Sequence, residues 1–153
     1  MLMFSEGGHH NEYYLQNLSK GSSRLAFKAA QENPGKKIYL QPVGINYGHH
    51  QQPRCTLHLV YGQPIKVSDF VDLKLTDVEN INILKLELQD RMKACLWLPD
   101  KTENYFIQKK KINRHTTHVD FKTLKSALQN NYNKMPEVKP KSKTRKVLIF
   151  LLS

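Results

Sequence analysis

The chain has 153 residues, 39% of them hydrophobic, and its 24 Lys/Arg against 13 Asp/Glu give a formal net charge of +11. That is room for one domain with its own core, and the apolar content excludes a wholly disordered chain. Cys55 and Cys95 stand far apart with no C-x-x-C pair, which points to a reduced, cytoplasmic setting and leaves one disulfide open; the start shows neither the basic n-region nor the apolar stretch of a secretory leader.

The charge is unevenly placed. Residues 1–100 carry 11 Lys/Arg and 10 Asp/Glu, whereas residues 101–153 carry 13 and 3. The basic excess sits in the last third, at Lys109-Lys110-Lys111 and in the run Lys139 to Lys146. Such runs suit an anionic membrane surface or a nucleic acid, or form a solvated tail.

In chain order, MLMF (Met1 to Phe4) reads as the end of a central strand and SEGGHHNE as a polar, glycine-bearing loop. KGSSRLAFKAAQE (Lys20 to Glu32) predicts a helix with Leu25, Ala26 and Ala29 on the face toward a sheet, stopped by NPGKK. IYLQPVGINY predicts a strand from Ile38 to Leu40, broken near Pro42 and Gly44. RCTLHLVY alternates, with Cys55, Leu57, Leu59 and Tyr61 on one side and Thr56, His58 and Val60 on the other.

A second helix starts at Thr76, where T-x-x-E with Glu79 makes a capping box, and Val78, Ile81, Leu84, Leu88 and Met92 follow at helical spacing toward Leu98-Pro99. Trp97 and Cys95 read as core. Beyond Pro99 the pattern weakens; DFKTLKSALQN (Asp120 to Asn130) predicts a short helix with Leu124 and Leu128 on one side. The Pro- and Lys-rich stretch from Lys134 to Lys146 reads as disordered or surface-lying. The closing VLIFLLS is shorter than the roughly 20 residues that cross a bilayer and reads as the start of a longer apolar segment. MLMF and VLIFLLS together read as cut edges.

Alternation of strands and helices predicts an α/β fold, a mixed sheet flanked by helices, with ligand loops at strand carboxyl ends. Ser5-Glu6-Gly7-Gly8 occupies such a place. Glu6 can accept hydrogen bonds from a polyol, and Gly7 and Gly8 offer bare N–H donors to a phosphate.

The run FSEGGHH…LQNLSKGSSRLAFKAA…IYLQPVGINY…CTLHLVYGQPIKV resembles the glycerolipid acyltransferases, which acylate glycerol-3-phosphate and 1-acyl-sn-glycerol-3-phosphate. Their third motif reads F-P-E-G-T-R-S, followed by a K-x-G-x-x-x-x-A helix, a V-P-V-G-I-x-Y strand and a strand ending x-x-G-x-P-I. Lys20, Gly21 and Ala26 match the helix; Pro42, Val43, Gly44, Ile45 and Tyr47 match the fourth motif; Gly62, Pro64 and Ile65 match the closing turn. The resemblance covers roughly residues 1–70.

It implies a truncated glycerol-3-phosphate acyltransferase-like fold, in which Glu6 and Gly7, with Gly8 beside them, hold the glycerol phosphate acceptor. Ser5 replaces the usual proline, and His9 stands where the family has a phosphate-binding arginine, with Lys20 or Arg24 as substitutes for its charge. Pro42 matches the proline that shapes the pocket. The expected substrate-binding residues are therefore Glu6, Gly7, Gly8, His9 and Pro42.

The family's base lies in an N-H-x-x-x-x-D motif ahead of the E-G motif, where the histidine deprotonates the acceptor hydroxyl and the aspartate orients it. Five residues precede Glu6, so this chain supplies no such motif, and no catalytic residue is expected. His115 to Asp120 fits H-x-x-x-x-D but follows the E-G motif, has Arg114 before it and lies outside the matching region. Gly8-His9-His10 and Gly48-His49-His50 offer ligand types that zinc accepts, but adjacent imidazoles diverge, so no metal is expected. Neither is an organic cofactor; acyl-CoA or acyl carrier protein is the co-substrate.

The expectation is thus the carboxyl-terminal portion of a phospholipid-biosynthesis O-acyltransferase, inactive alone. Residues 1–98 would be half of the acyltransferase domain, 99–133 a basic helical extension, and 134–153 a Lys-rich tail leading into an apolar segment. Its partners would be the glycerol-phosphate lipid, the acyl donor and a membrane surface at the cytoplasmic face, with no nucleic acid. The alternative is a non-catalytic basic protein that binds nucleic acid or an anionic surface.

Overall fold

The computed structural model describes residues 1–8, 11–49, 56–115 and 120–129. Helix α1 (Gly21–Glu32) precedes four short strands, β1 (Tyr39–Leu40), β2 (Val43–Tyr47), β3 (Leu57–Tyr61) and β4 (Ile65–Lys66). A 3-10 turn (Val67–Phe70) leads to α2 (Asp77–Ala94), α3 (Tyr105–His115) and α4 (Phe121–Gln129).

The α/β class holds, with strands flanked by helices. Both described pairings of the expected mixed sheet are antiparallel: Ile45 lies opposite Leu59 and Asn46 opposite His58, while Leu40 lies opposite Ile65. The interruption falls at Pro42, which has no N–H for the ladder, and Gly62 N bridges it by donating to Pro42 O at 3.0 Å. Met1 to Phe4 take no strand partner, contrary to the expected central strand. Leu2 and Phe4 are 78% and 76% exposed, because no described strand lies alongside to complete their ladder.

α1 buries Ser22, Ser23, Ala26 and Phe27 and packs on α2 and the 3-10 turn. The expected face is displaced: Phe27 carries the largest apolar area of this helix into the core, and Leu25 turns outward. α2 starts with the expected capping box. Glu79 N donates to Thr76 Oγ1 at 3.3 Å, and Thr76 N donates to Glu79 Oε2 at 2.8 Å. Thr76 N and, beside it, the Thr76 hydroxyl donating to Oε2 hold the Glu79 carboxyl below the usual range. Ile81, Leu84 and Leu88 are buried as the spacing predicts, and Val78 is exposed.

α2 stops at Ala94, short of the expected Leu98, because Cys95 N turns back to Met92 O and residues 95–98 pass under the ribbon. They are buried there, Trp97 to 1% exposure.

Among the described residues two apolar clusters result. Leu18, Ala26, Ile65, Val67, Leu84 and Leu88 lie between α1, α2 and the β1–β4 pair. Tyr13, Trp97, Leu98, Tyr105, Ile112, Leu124 and Leu128 join the N-terminal segment to α3 and α4. Lys125 Nζ donates to Ala94 O at the end of α2, placing a cation at the negative end of that helix.

Candidate functional site

The loop at Ser5–Gly8 is fastened to the start of α1. Ser19 N donates to Ser5 O at 2.7 Å, and Ser5 Oγ donates to Ser22 Oγ at 3.0 Å in a buried pair. Gly7 takes a φ of +70°, a left-handed conformation that glycine adopts without strain. A side chain there would also meet Ser19 Cβ at 3.8 Å. Glu6 is held by one oxygen: Gln16 N donates to Oε1 at 2.9 Å. A depression of about 360 Å³ lined by Tyr14, Leu15, Gln16 and Asn17 opens beside this anchor.

The helix behind the loop has an open N-terminus. Lys20 at its N-cap makes no side-chain capping bond, and the first turn contains no acid. The positive end of its dipole therefore has no internal anion in the first turn, where Gly21 is exposed and Ser22 and Ser23 are buried. Chemically, this combines one carboxylate with an anion-friendly helix end. Exposed Lys20 and Arg24 stand on the same first turns.

Pro42 is held by different neighbours from Glu6. It is fully buried, and a methyl on Gly62 would sit 3.0 Å from its Cγ. Gly44, two residues on, passes so close to the 95–98 segment that an added Cβ would meet Cys95 O at 2.2 Å. Asn46 then latches that segment, donating from Nδ2 to Cys95 O and accepting from Trp97 N, both at 2.9 Å. Arg91 fixes the closing turn by donating from Nη1 to Pro64 O at 2.7 Å and to Gln63 O at 3.2 Å. Asn46 and Arg91 were missed from sequence. The only signal was a polar residue at the fifth position of P-V-G-I-N, inside an otherwise apolar strand.

His9, His10, His50, Cys55 and the run Lys139 to Lys146 lie outside the described residues, as does the side chain of His115. The other end of the His115 to Asp120 spacing is described. Asp120 caps α4, its Oδ1 accepting from Lys122 N and Thr123 N and its Oδ2 from Thr123 Oγ1. Those bonds, Thr123 Oγ1 first, hold its carboxyl below the ordinary range. Among the described residues no cluster of three or more His, Cys, Asp or Glu could hold a metal. No described helix is long and apolar enough to cross a membrane.

A second polar knot lies behind the loop. Tyr105, fully buried, donates its hydroxyl to Glu12 Oε2 at 2.6 Å and accepts from Tyr13 N at 2.8 Å. Lys109 Nζ reaches the same Glu12 oxygen at 2.7 Å. Burial and the adjacent carboxylate push the Tyr105 phenol well above its usual range.

The β2–β3 pair has one covered face and one open face. Gly44 and Asn46 face the 95–98 segment, and the His58 ring lies 5.1 Å from Trp97. The other face presents Ile45, Tyr47, Leu57, Leu59 and Tyr61, from 37% to 69% exposed. In an antiparallel pair the solvent-facing side ordinarily carries polar side chains, and here it carries apolar ones.

Over 65 residues, or 42% of its length, this chain is 34% identical to a Saccharomyces cerevisiae protein, "Glycerol-3-phosphate O-acyltransferase 2". The chain spans 9% of that protein's length. This is partial homology to a glycerolipid acyltransferase. No family model matches the chain, and no solved structure matches it.

Proposed function

We propose that residues 1–98 form the acceptor-side portion of a glycerolipid O-acyltransferase domain and engage a glycerol-3-phosphate or 1-acylglycerol-3-phosphate headgroup. The observation that carries this reading is the Glu6–Gly8 loop fastened against the uncapped N-terminus of α1. A carboxylate for glycerol hydroxyls and the N–H groups of exposed Gly7 and Gly8 for a phosphate then lie on neighbouring backbone. The ordered acyltransferase motifs and the 65-residue similarity to the yeast enzyme support it. His9 and Pro42 complete the proposed binding set.

In the complete reaction the acceptor hydroxyl attacks the thioester carbonyl of acyl-CoA or acyl carrier protein. Its proton passes to a histidine base, and the thiol leaves. The residues of this chain bind and orient the acceptor; the N-H-x-x-x-x-D pattern of the base does not occur among these 153 residues. Residues 99–133 act as a basic helical extension, and 134–153 as a Lys-rich, membrane-facing tail on the cytoplasmic side.

Titration calorimetry with glycerol-3-phosphate tests the reading. Binding is expected to weaken roughly tenfold in Glu6→Gln, which loses a charge-assisted hydrogen bond, and the chain alone is expected to show no acyl transfer. Equal affinity for glycerol-3-phosphate in both proteins, or turnover by the chain alone, overturns it.

A further inference from the structure

α3 buries one side and exposes the other. Tyr105 and Ile112 are fully buried in the cluster with Leu124 and Leu128 of α4. Phe106 and Ile107 are 65% and 55% exposed. Lys110 follows Phe106 by four residues, so the two share a helix face. Lys101 Nζ stands 5.7 Å from the Phe106 ring centroid, and both Lys101 and Lys110 are exposed. One acid, Glu103, is exposed in the same stretch. Lys109 is already committed to Glu12 and to Asn11 O.

Adjacent large apolar side chains in water, flanked by lysines on flexible stems, form the pattern of a helix lying in a bilayer interface. We propose that α3 docks on an anionic lipid bilayer, with Phe106 and Ile107 entering the acyl boundary and Lys101 and Lys110 on the headgroups. Charge selects this occupant. Residues 101–153 carry 13 Lys/Arg against 3 Asp/Glu, so a second copy of the chain would bring like charges together. Single-stranded nucleic acid would use a row of stacking rings, yet Phe106 is the one exposed ring described on α3, Tyr105 being buried and Ile107 aliphatic. The proposal carries the membrane-facing reading of the 134–153 tail over to the basic extension that contains α3. It does not depend on acyl transfer, and it succeeds or fails whether or not glycerol-3-phosphate binds.

The test places a reporter on the helix. Phe106→Trp is made in the full chain, where Trp97, 1% exposed, is the single native tryptophan. On adding vesicles of phosphatidylcholine with phosphatidylserine, the introduced indole is expected to shift to the blue and to be quenched by brominated acyl chains. Lys101→Gln and Lys110→Gln are each expected to weaken vesicle binding about fivefold, and Ile107→Asp to weaken it further. Circular dichroism checks that each variant keeps its helices. Unchanged emission with vesicles overturns the proposal. So does wild-type vesicle binding by Ile107→Asp, which would leave the Lys139 to Lys146 run as the carrier. A shift produced by RNA and not by vesicles, or by raising protein concentration alone, also overturns it.

Discussion

Asn46 and Trp97 are locked together across the ribbon. Trp97 N donates to Asn46 Oδ1 at 2.9 Å, while Asn46 Nδ2 donates to Cys95 O at the same distance. One 3% exposed amide thus satisfies both ends of the turn that follows α2. Asn46→Ala leaves a buried N–H and a buried carbonyl unpaired, and is expected to cost about 2–4 kcal/mol in urea denaturation. Replacement by leucine fills the space but restores neither bond, so it is expected to cost a similar amount.

The two glycines beside this latch differ in what they avoid. An added Cβ on Gly44 meets backbone, Cys95 O at 2.2 Å, whereas one on Gly62 meets Cys95 Sγ at 2.8 Å and Pro42 Cγ at 3.0 Å. Backbone cannot swing aside. Gly44→Ala is expected to destabilise severely, by about 3 kcal/mol or more. Gly62→Ala should cost less and be partly rescued by Cys95→Ala, while Gly44→Ala should not be. Equal rescue in a thermal double-mutant cycle would contradict this geometry.

The Tyr105 knot makes stability fall in alkali. The phenol is held above its usual value in the folded chain by burial and by the Glu12 carboxylate. Folding therefore favours its protonated form. That stabilisation is complete below the unfolded tyrosine value of about 10 and is lost as pH rises above it. One of the seven tyrosines should ionise late in an ultraviolet titration. Tyr105→Phe should abolish the late step and flatten the stability profile above that pH.

Asp120 provides a test of the downstream H-x-x-x-x-D spacing. Its carboxylate is occupied by Lys122 N, Thr123 N and Thr123 Oγ1, which is the work of a helix cap. Asp120→Asn is expected to keep α4 at neutral pH, because asparagine caps equally well; Asp120→Ala should fray it. Helix content by circular dichroism distinguishes the two. The lowered carboxyl also means that the contribution of Asp120 is present at neutral pH and fades as acid protonates it.

Local chemistry was the readable part. The capping box at Thr76 and Glu79, the helix beginning near Lys20 and the helix around Leu124 and Leu128 each rest on neighbours within a turn or two. α3 falls inside the expected 99–133 basic helical extension, but its bounds are not legible because three lysines interrupt its apolar residues. It is held instead by distant partners, with Tyr105 on Glu12 and Gln108 Nε2 on Leu128 O. Alternation in β3 separated its two faces but could not say which is covered. The covered one carries His58 because Gly44, opposite Val60, lets the Cys95–Trp97 segment come close. In the candidate site the order of motifs was legible. The fastening of Ser5 to Ser19 and Ser22 was not, since it depends on tertiary placement of residues whose types are common in any loop.

The open face of the β2–β3 pair has a thermodynamic consequence. Ile45, Tyr47, Leu57, Leu59 and Tyr61 share one face only in the folded ribbon, so any molecule that binds that face adds RT ln(1 + [L]/Kd) to stability. The melting temperature of this chain is then a joint property of the chain and its surroundings. It should climb with the concentration of a mild detergent or of a complementary polypeptide, and a value measured in plain buffer marks the lower end of that curve.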